Sequence, residues 1–128
     1  MTNSAFIAGA WRAGAGETFT STDPASGETI WTGAAADAND VREAFAAARR
    51  AFTPWALAGF ETRRTIVEAF GALVKNRADE IGELIARETG KPLWEAKGEA
   101  GAMAGKAGVS IKSHEDRTGY TCTETEFG

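Results

Sequence analysis

Glu88-Thr89-Gly90-Lys91-Pro92 decides how this sequence is read. Upstream of it run Ile66, Val67, Phe70, Leu73, Val74, Ile81, Leu84 and Ile85, at spacings that place apolar residues along one helical stripe. Gly90 can take a left-handed conformation at low steric cost, which suits a helix C-cap. Pro92 cannot extend the preceding helix, but it fits the start of the next. The segment therefore reads as helix, sharp stop, helix, within an organising stretch from Glu61 to Lys112.

The upstream region from Phe60 to Thr89 is long for one globular helix. Asn76 offers a cap for a fresh start, with Asp79 three residues on. The spacing predicts one helix near Thr62 to Lys75 and another near Arg77 to Thr89. Downstream, a helix is expected from Leu93 to about Glu115. It carries Gly98, Gly101, Gly105 and Gly108 on one side. Each interior glycine weakens a helix by roughly 1 kcal/mol relative to alanine. Such a helix calls for close packing of that side against another backbone, or else it frays.

Before this block, Val41, Phe45, Ala48 and Phe52 share a helical face. Asp37 or Asn39 can cap that helix, and Pro54 is expected to end it near Thr53. Trp55, Leu57 and Phe60 form an apolar connection expected to pack under the next helix. Residues 5–34 read as β structure. Thr18 to Thr22 and Thr29 to Thr32 flank Asp23-Pro24-Ala25-Ser26-Gly27-Glu28, a turn in which Pro24 fixes φ and Gly27 accepts a positive one. Ala5 to Trp11 supplies a third short strand. Past Arg117-Thr118-Gly119, the alternation of Tyr120 to Glu126 suits the start of a strand. The expected fold is thus an α/β fragment: an N-terminal β-hairpin region (5–34), a helical region of three to four helices (37–116) and a terminal strand (119–128).

The 128 residues carry 43% hydrophobic and 25% charged side chains, ordinary for a soluble globular protein, and a net charge of −4. Arg49-Arg50 and Arg63-Arg64 lie among carboxylates and read as solvated helix faces, so no nucleic-acid partner is expected. No apolar run reaches membrane-spanning length, and no basic residue precedes the first apolar stretch as a signal peptide would require. Cys122 is the single cysteine, which points to a reducing cytoplasm.

Chemistry-bearing constellations are sparse. His114 and Cys122 stand in no metal-ligand spacing. Cys122 reads as an inert thiol, and His114 as a partner for a helix C-terminus. Gly9, Gly14 and Gly16 open no helix, so they fail the context of a dinucleotide loop. Glu80 and Glu83 read as a solvated face. No catalytic and no cofactor-binding residue is assigned.

The turn Asp23-Pro24-Ala25-Ser26-Gly27-Glu28, the run Ala47-Ala48-Arg49-Arg50-Ala51-Phe52 and the motif Glu88-Thr89-Gly90-Lys91-Pro92 together resemble the N-terminal part of the aldehyde dehydrogenase superfamily. The likeness covers essentially the whole sequence. Ile85 to Ala96, Ser110-Ile111-Lys112-Ser113 and Arg117-Thr118-Gly119 are similar to the branch that oxidises N-succinylglutamate 5-semialdehyde in arginine catabolism. The resemblance implies a parent several-fold longer, with NAD as cofactor, a cysteine nucleophile, a glutamate-activated water and homo-oligomeric assembly. Those catalytic and cofactor positions fall after Gly128 in the family, so none transfers here. This stretch alone is expected to be inactive and to bind no NAD, with the remainder of the chain as its partner. The glycines of the last helix depart from the family, whose members carry bulkier residues there. The resemblance also implies a monovalent cation site, with the carbonyls of Ser21 and Thr22 and the carboxylate of Glu88 at matching positions. The competing reading of Glu88 is a carboxylate facing solvent or Lys91. Two other readings of the chain stay open: a self-standing helical structural or protein-binding module, and part of an aldehyde dehydrogenase with another substrate.

Overall fold

The computed structural model describes residues 2–119 and 123–126. Its elements run β1 (Ala5–Ile7), β2 (Ala10–Arg12), β3 (Thr18–Thr22), β4 (Thr29–Ala34), α1 (Ala38–Leu57), α2 (Phe60–Asn76), α3 (Ala78–Thr89) and α4 (Leu93–Arg117). This is the expected α/β arrangement of hairpin region followed by helices. Tyr120, Thr121 and Cys122, with Phe127 and Gly128, are part of the anticipated terminal strand and lie outside the described residues. Residues 123–126 form no strand.

The β region holds two antiparallel hairpins rather than one sheet. Ala5 pairs with Arg12 and Ile7 with Ala10, while Thr18 pairs with Ala34 and Ser21 with Trp31. The expected single third strand, Ala5 to Trp11, instead folds back on itself as a separate hairpin. Its two-residue turn, Ala8-Gly9, has φ of 54° and 85°, the left-handed pair that matches strand twist. An alanine in that conformation is a poor sequence signal, which is why the turn was not legible. Tilted ring pairs brace each hairpin: Phe6 on Trp11 at 5.2 Å and Phe19 on Trp31 at 5.1 Å.

Asp37 caps α1, and its carboxylate accepts from the N–H groups of Asn39 and Asp40, both at 2.8 Å. Pro54 does not end this helix, which continues to Leu57. A proline so near the terminus removes a single backbone bond. The carbonyls of the last turn find a donor from outside, since the Arg63 guanidinium reaches the Ala56 oxygen at 3.2 Å and that of Trp55 at 3.5 Å. The expected burial of the connection also fails in part: Leu57 is 80% exposed. Only Phe60 is well placed, its ring stacked on His114 at 4.4 Å.

The chain breaks between α2 and α3 where the sequence puts it, but without the expected cap. Asn76 is the last residue of α2, and Arg77 stands at the N-terminus of α3 with no side-chain cap. Arg77 instead turns back on Glu80, its Nε 2.8 Å from Oε2. At the other end of α3, Gly90 is left-handed (φ 73°) and its N–H bonds the Ala86 carbonyl at 2.9 Å. Pro92 then precedes α4.

Helix α4 lies across α2 and α3 along a seam of small residues. Ala96 and Ala100 are fully buried, and a β-carbon built on Gly71 would lie 2.9 Å from that of Ala107. Lys97 bridges to Asp79 at 2.8 Å, and Arg64 to Glu115 at 3.3 Å. The close approach therefore uses the alanine face of α4 against Gly71 and Gly82. Gly98, Gly101, Gly105 and Gly108 face open space, with nothing within 4 Å of a β-carbon built on any of them. That corrects the expectation that the glycine side meets another backbone.

Candidate functional site

The turn between β3 and β4 is built by its own side chains. The Asp23 carboxylate accepts from the N–H groups of Ala25 (2.8 Å) and Ser26 (3.3 Å), and the Ser26 hydroxyl accepts from that of Glu28 (3.2 Å). Gly27 sits at φ 74° and donates its N–H to the Asp23 carbonyl. This preformed loop rests on the C-terminus of α3. A β-carbon on Gly90 would lie only 2.8 Å from Cγ of Pro24, so the glycine is the surface that the proline packs on.

At the same junction the Ser21 hydroxyl donates to Oε1 of Glu88 at 2.9 Å. The β3–β4 register is irregular between Ser21 and Thr22, where the ladder bulges. Of the three anticipated metal-site residues, Ser21 and Glu88 touch through the serine hydroxyl, and Thr22 is the next residue along the strand, at the bulge. Lys91, one alternative partner, turns away to Glu99 and to Glu95, the latter at 3.7 Å, whereas Glu88 itself is exposed, as the solvent-facing alternative has it. The Lys91 ammonium is held above its usual pKa, first by the hydrogen bond to Glu99. A carboxylate and strand-end carbonyls are the kind of oxygen ligands that a hard cation takes.

A second polar cluster went unrecognised in the sequence. Asp40 is 7% exposed, yet it is charged and fully engaged. It accepts from the N–H groups of Ala15 (2.9 Å) and Asp37 (3.1 Å) and from the Arg12 guanidinium (2.9 Å). The other arm of Arg12 reaches Glu43 at 2.7 Å. Asp37 and Asp40 thereby close a reciprocal capping box, and the same carboxylate ties α1 to the β2–β3 connection. The signal was present as Asp37-Ala38-Asn39-Asp40, an acid three residues past an acid cap. The Ala15 and Asp37 amides, with Arg12, hold the Asp40 carboxyl below its usual pKa.

That shift sets a pH dependence. A carboxylate depressed in the folded state adds stability above its unfolded pKa of about 3.9, and that stability is lost as pH falls through the lower folded value. Thermal melts of the wild type should therefore steepen in their pH dependence below about pH 4. Asp40→Asn should melt lower at neutral pH and lose that part of the acid sensitivity. Parallel acid profiles for the two proteins would remove Asp40 as its source.

Other predicted residues take structural roles. Arg63 and Arg64 are not simply solvated, because Arg63 serves the α1 carbonyls and Arg64 pairs with Glu68 at 2.9 Å as well as with Glu115. His114 occupies the last turn of α4 with Nδ1 2.8 Å from the Thr118 hydroxyl. Cys122 lies outside the described residues. Among the described residues no three His, Cys, Asp or Glu side chains gather as a metal cluster, and no helix is long and apolar enough to cross a membrane.

Residues 11–126 match the model of the aldehyde dehydrogenase family. The chain is 48% identical over 123 residues to an N-succinylglutamate 5-semialdehyde dehydrogenase of Burkholderia mallei, across 96% of this chain and 25% of that protein. Among solved structures it resembles a succinate-semialdehyde dehydrogenase of Burkholderia pseudomallei, with TM-score 0.85, 29% identity, and coverage of 98% of this chain and 26% of that one. A betaine aldehyde dehydrogenase of Staphylococcus aureus in complex with NAD+ gives TM-score 0.82 at 25% identity, covering 93% of this chain and 24% of the other. The chain spans about a quarter of the length of the curated relatives it matches.

Proposed function

The chain belongs to the aldehyde dehydrogenase family, and we propose that it is the N-terminal portion of an NAD-dependent member that oxidises N-succinylglutamate 5-semialdehyde to N-succinylglutamate in cytoplasmic arginine catabolism. The observation that carries this is identity of nearly one residue in two, over nearly the whole chain, to relatives bearing that enzyme's name. Its remaining partners are then the rest of such a polypeptide and further copies of it. The nucleophile, the activating carboxylate and the NAD cradle belong to that remainder; residues 1–128 supply none of them.

What this part contributes is a braced scaffold with a cation site at its centre. Ser21 and Thr22 would lend carbonyl oxygens and Glu88 a carboxylate, and the Ser21–Glu88 hydrogen bond supports that assignment by bringing the carboxylate to the strand end. A bound monovalent cation would neutralise Glu88 and lock the β3–β4 turn onto α3.

The test is an NADH-production assay with N-succinylglutamate 5-semialdehyde on two samples, the 128-residue chain and the longest translation product that carries it. Turnover is expected only from a longer product. NADH formation by the 128-residue chain, abolished by Cys122→Ser, would overturn the assignment of catalysis to the remainder. If no longer product exists in the source, the structural-module alternative replaces this reading. Melting the same samples in potassium and in a bulky organic cation addresses the site: potassium should raise the Tm of the wild type but not of Glu88→Gln.

A further inference from the structure

The β1–β2 hairpin is fastened by polar groups rather than by a core. None of Thr2 to Arg12 is buried, and the rings of Phe6 and Trp11 pair with each other while 58% and 65% exposed. In α1, the helix it faces, Asp40 is the one buried residue, and it is a carboxylate. Between hairpin and helix lies an open cleft of about 620 Å³, bordered by Phe6 and Ile7 on one side and Ala44 and Ala47 on the other. The apolar contact that would fix a two-stranded hairpin in place is therefore thin. Arg12, at the end of β2, gives one arm to Asp40 at 2.9 Å and the other to Glu43 at 2.7 Å. The Ser4 hydroxyl donates to the Ala34 carbonyl and accepts from the Gly14 N–H, and Thr2 bridges to Gly33.

We propose that residues 2–12 form a strap that opens from α1 as a unit, pivoting at Ala13, with Arg12 as its clasp on Asp40 and Glu43, while the α2–α4 layer stays closed. Three observations carry this. The chain just past the pivot is pinned: the Gly16 N–H bonds the Ala35 carbonyl at 2.8 Å, the Ala15 N–H bonds Asp40 at 2.9 Å, and a β-carbon on Gly14 would run into the Ala35 carbonyl. The clasp is also incompletely satisfied. Nε of Arg12 is shut off from solvent and has no acceptor among the described residues, a cost borne only in the closed state. The α2–α4 layer, by contrast, holds Ala96 and Ala100 with no exposed surface and Val74 at 7%. Local opening follows the segment with the least buried apolar contact, which here is the strap. Every group in the latch lies within residues 2–43, so the strap is independent of the enzyme assignment.

Trypsin reads the clasp directly, because a cut after Arg12 needs that strand released and extended. Cleavage of the 128-residue chain is followed by mass spectrometry well below its melting temperature, beside a synthetic peptide of residues 5–20. The wild type should be cut after Arg12 at least about tenfold more slowly than the peptide. Asp40→Asn should speed that cut by about tenfold, the scale of one hydrogen-bonded charge pair. Glu43→Gln, which leaves the α1 cap untouched, should speed it by about twofold to threefold. Neither change should speed the cut after Lys106, within α4. Wild-type cleavage at the peptide's rate would overturn the proposal, since no latch would then exist. So would an unchanged rate at Arg12 in both variants, or a rate at Lys106 that rises in step with it, because the whole chain would then open together. If Asp40→Asn does not fold, the Glu43→Gln rate alone decides, and a wild-type rate there removes the clasp.

Discussion

Gly90→Val should destabilise the chain by about 2–4 kcal/mol in urea denaturation followed by helical circular dichroism. Two effects add at this position. The residue sits at φ 73°, where a β-branched side chain clashes with its own backbone. Its new β-carbon would also come within 2.8 Å of Pro24, pushing the β3–β4 turn off α3 and separating Ser21 from Glu88. Gly90→Asn distinguishes them, since asparagine tolerates the left-handed conformation but keeps the β-carbon that meets Pro24. It should fall between wild type and Gly90→Val. Gly98→Ala is the counterpart. It lies within α4 with open space where its methyl would go, so it should stabilise by about 0.5–1 kcal/mol. Equal losses at Gly90 and Gly98 would show that the α3 terminus is not where the fold is pinned.

Why some of this architecture is legible and some is not follows from the range of the forces involved. The stop at Gly90, the start at Pro92 and the Asp23–Glu28 turn are written in residues whose backbone preferences act locally, and each appears at its expected position. The β3 and β4 strands were likewise visible. Errors arose where a distant group decided the outcome. Pro54 would end a helix on local grounds, but its missing N–H costs only the bond to the Arg50 carbonyl, and Arg63, from the next helix, caps the terminal carbonyls of Trp55 and Ala56. Asn76 looked like a cap, yet the turn closes with Arg77 pairing to Glu80. The glycines of α4 signalled close packing, whereas the side that approaches α2 and α3 is lined by alanines and the glycines needed are Gly71 and Gly82 on the opposing helices. The capping-box pairing of Asp40 with Asp37 is local, but its tie to the β region is not legible, because Arg12 and Ala15 lie more than twenty residues away. In the candidate site, the Ser21–Glu88 contact spans 67 positions, and only the family resemblance brought those residues together.

Replacing Ala100 with leucine should be the most damaging change along the α4 seam, at about 2–3 kcal/mol with a lowered urea midpoint. Ala100 and Ala96 have no exposed surface, so the added carbons have nowhere to go without moving a helix. The neighbouring geometry shows how little slack there is. A β-carbon on Gly82 of α3 would lie 3.1 Å from Cα of Lys97 and 3.2 Å from its nitrogen, contacts with backbone that no rotamer change relieves. Interiors this close respond to a single methylene. Gly82→Ala should therefore destabilise as well, although alanine is the better helix former, which reverses the sign expected on the open glycine face of the same helix pair. Widening the seam would also stretch the Lys97–Asp79 bridge that holds α4 to the start of α3. If Ala100→Leu and Gly82→Ala both left the midpoint unchanged, α3 and α4 would have to be farther apart than the buried alanines require, and the scaffold beneath Glu88 would lose its support.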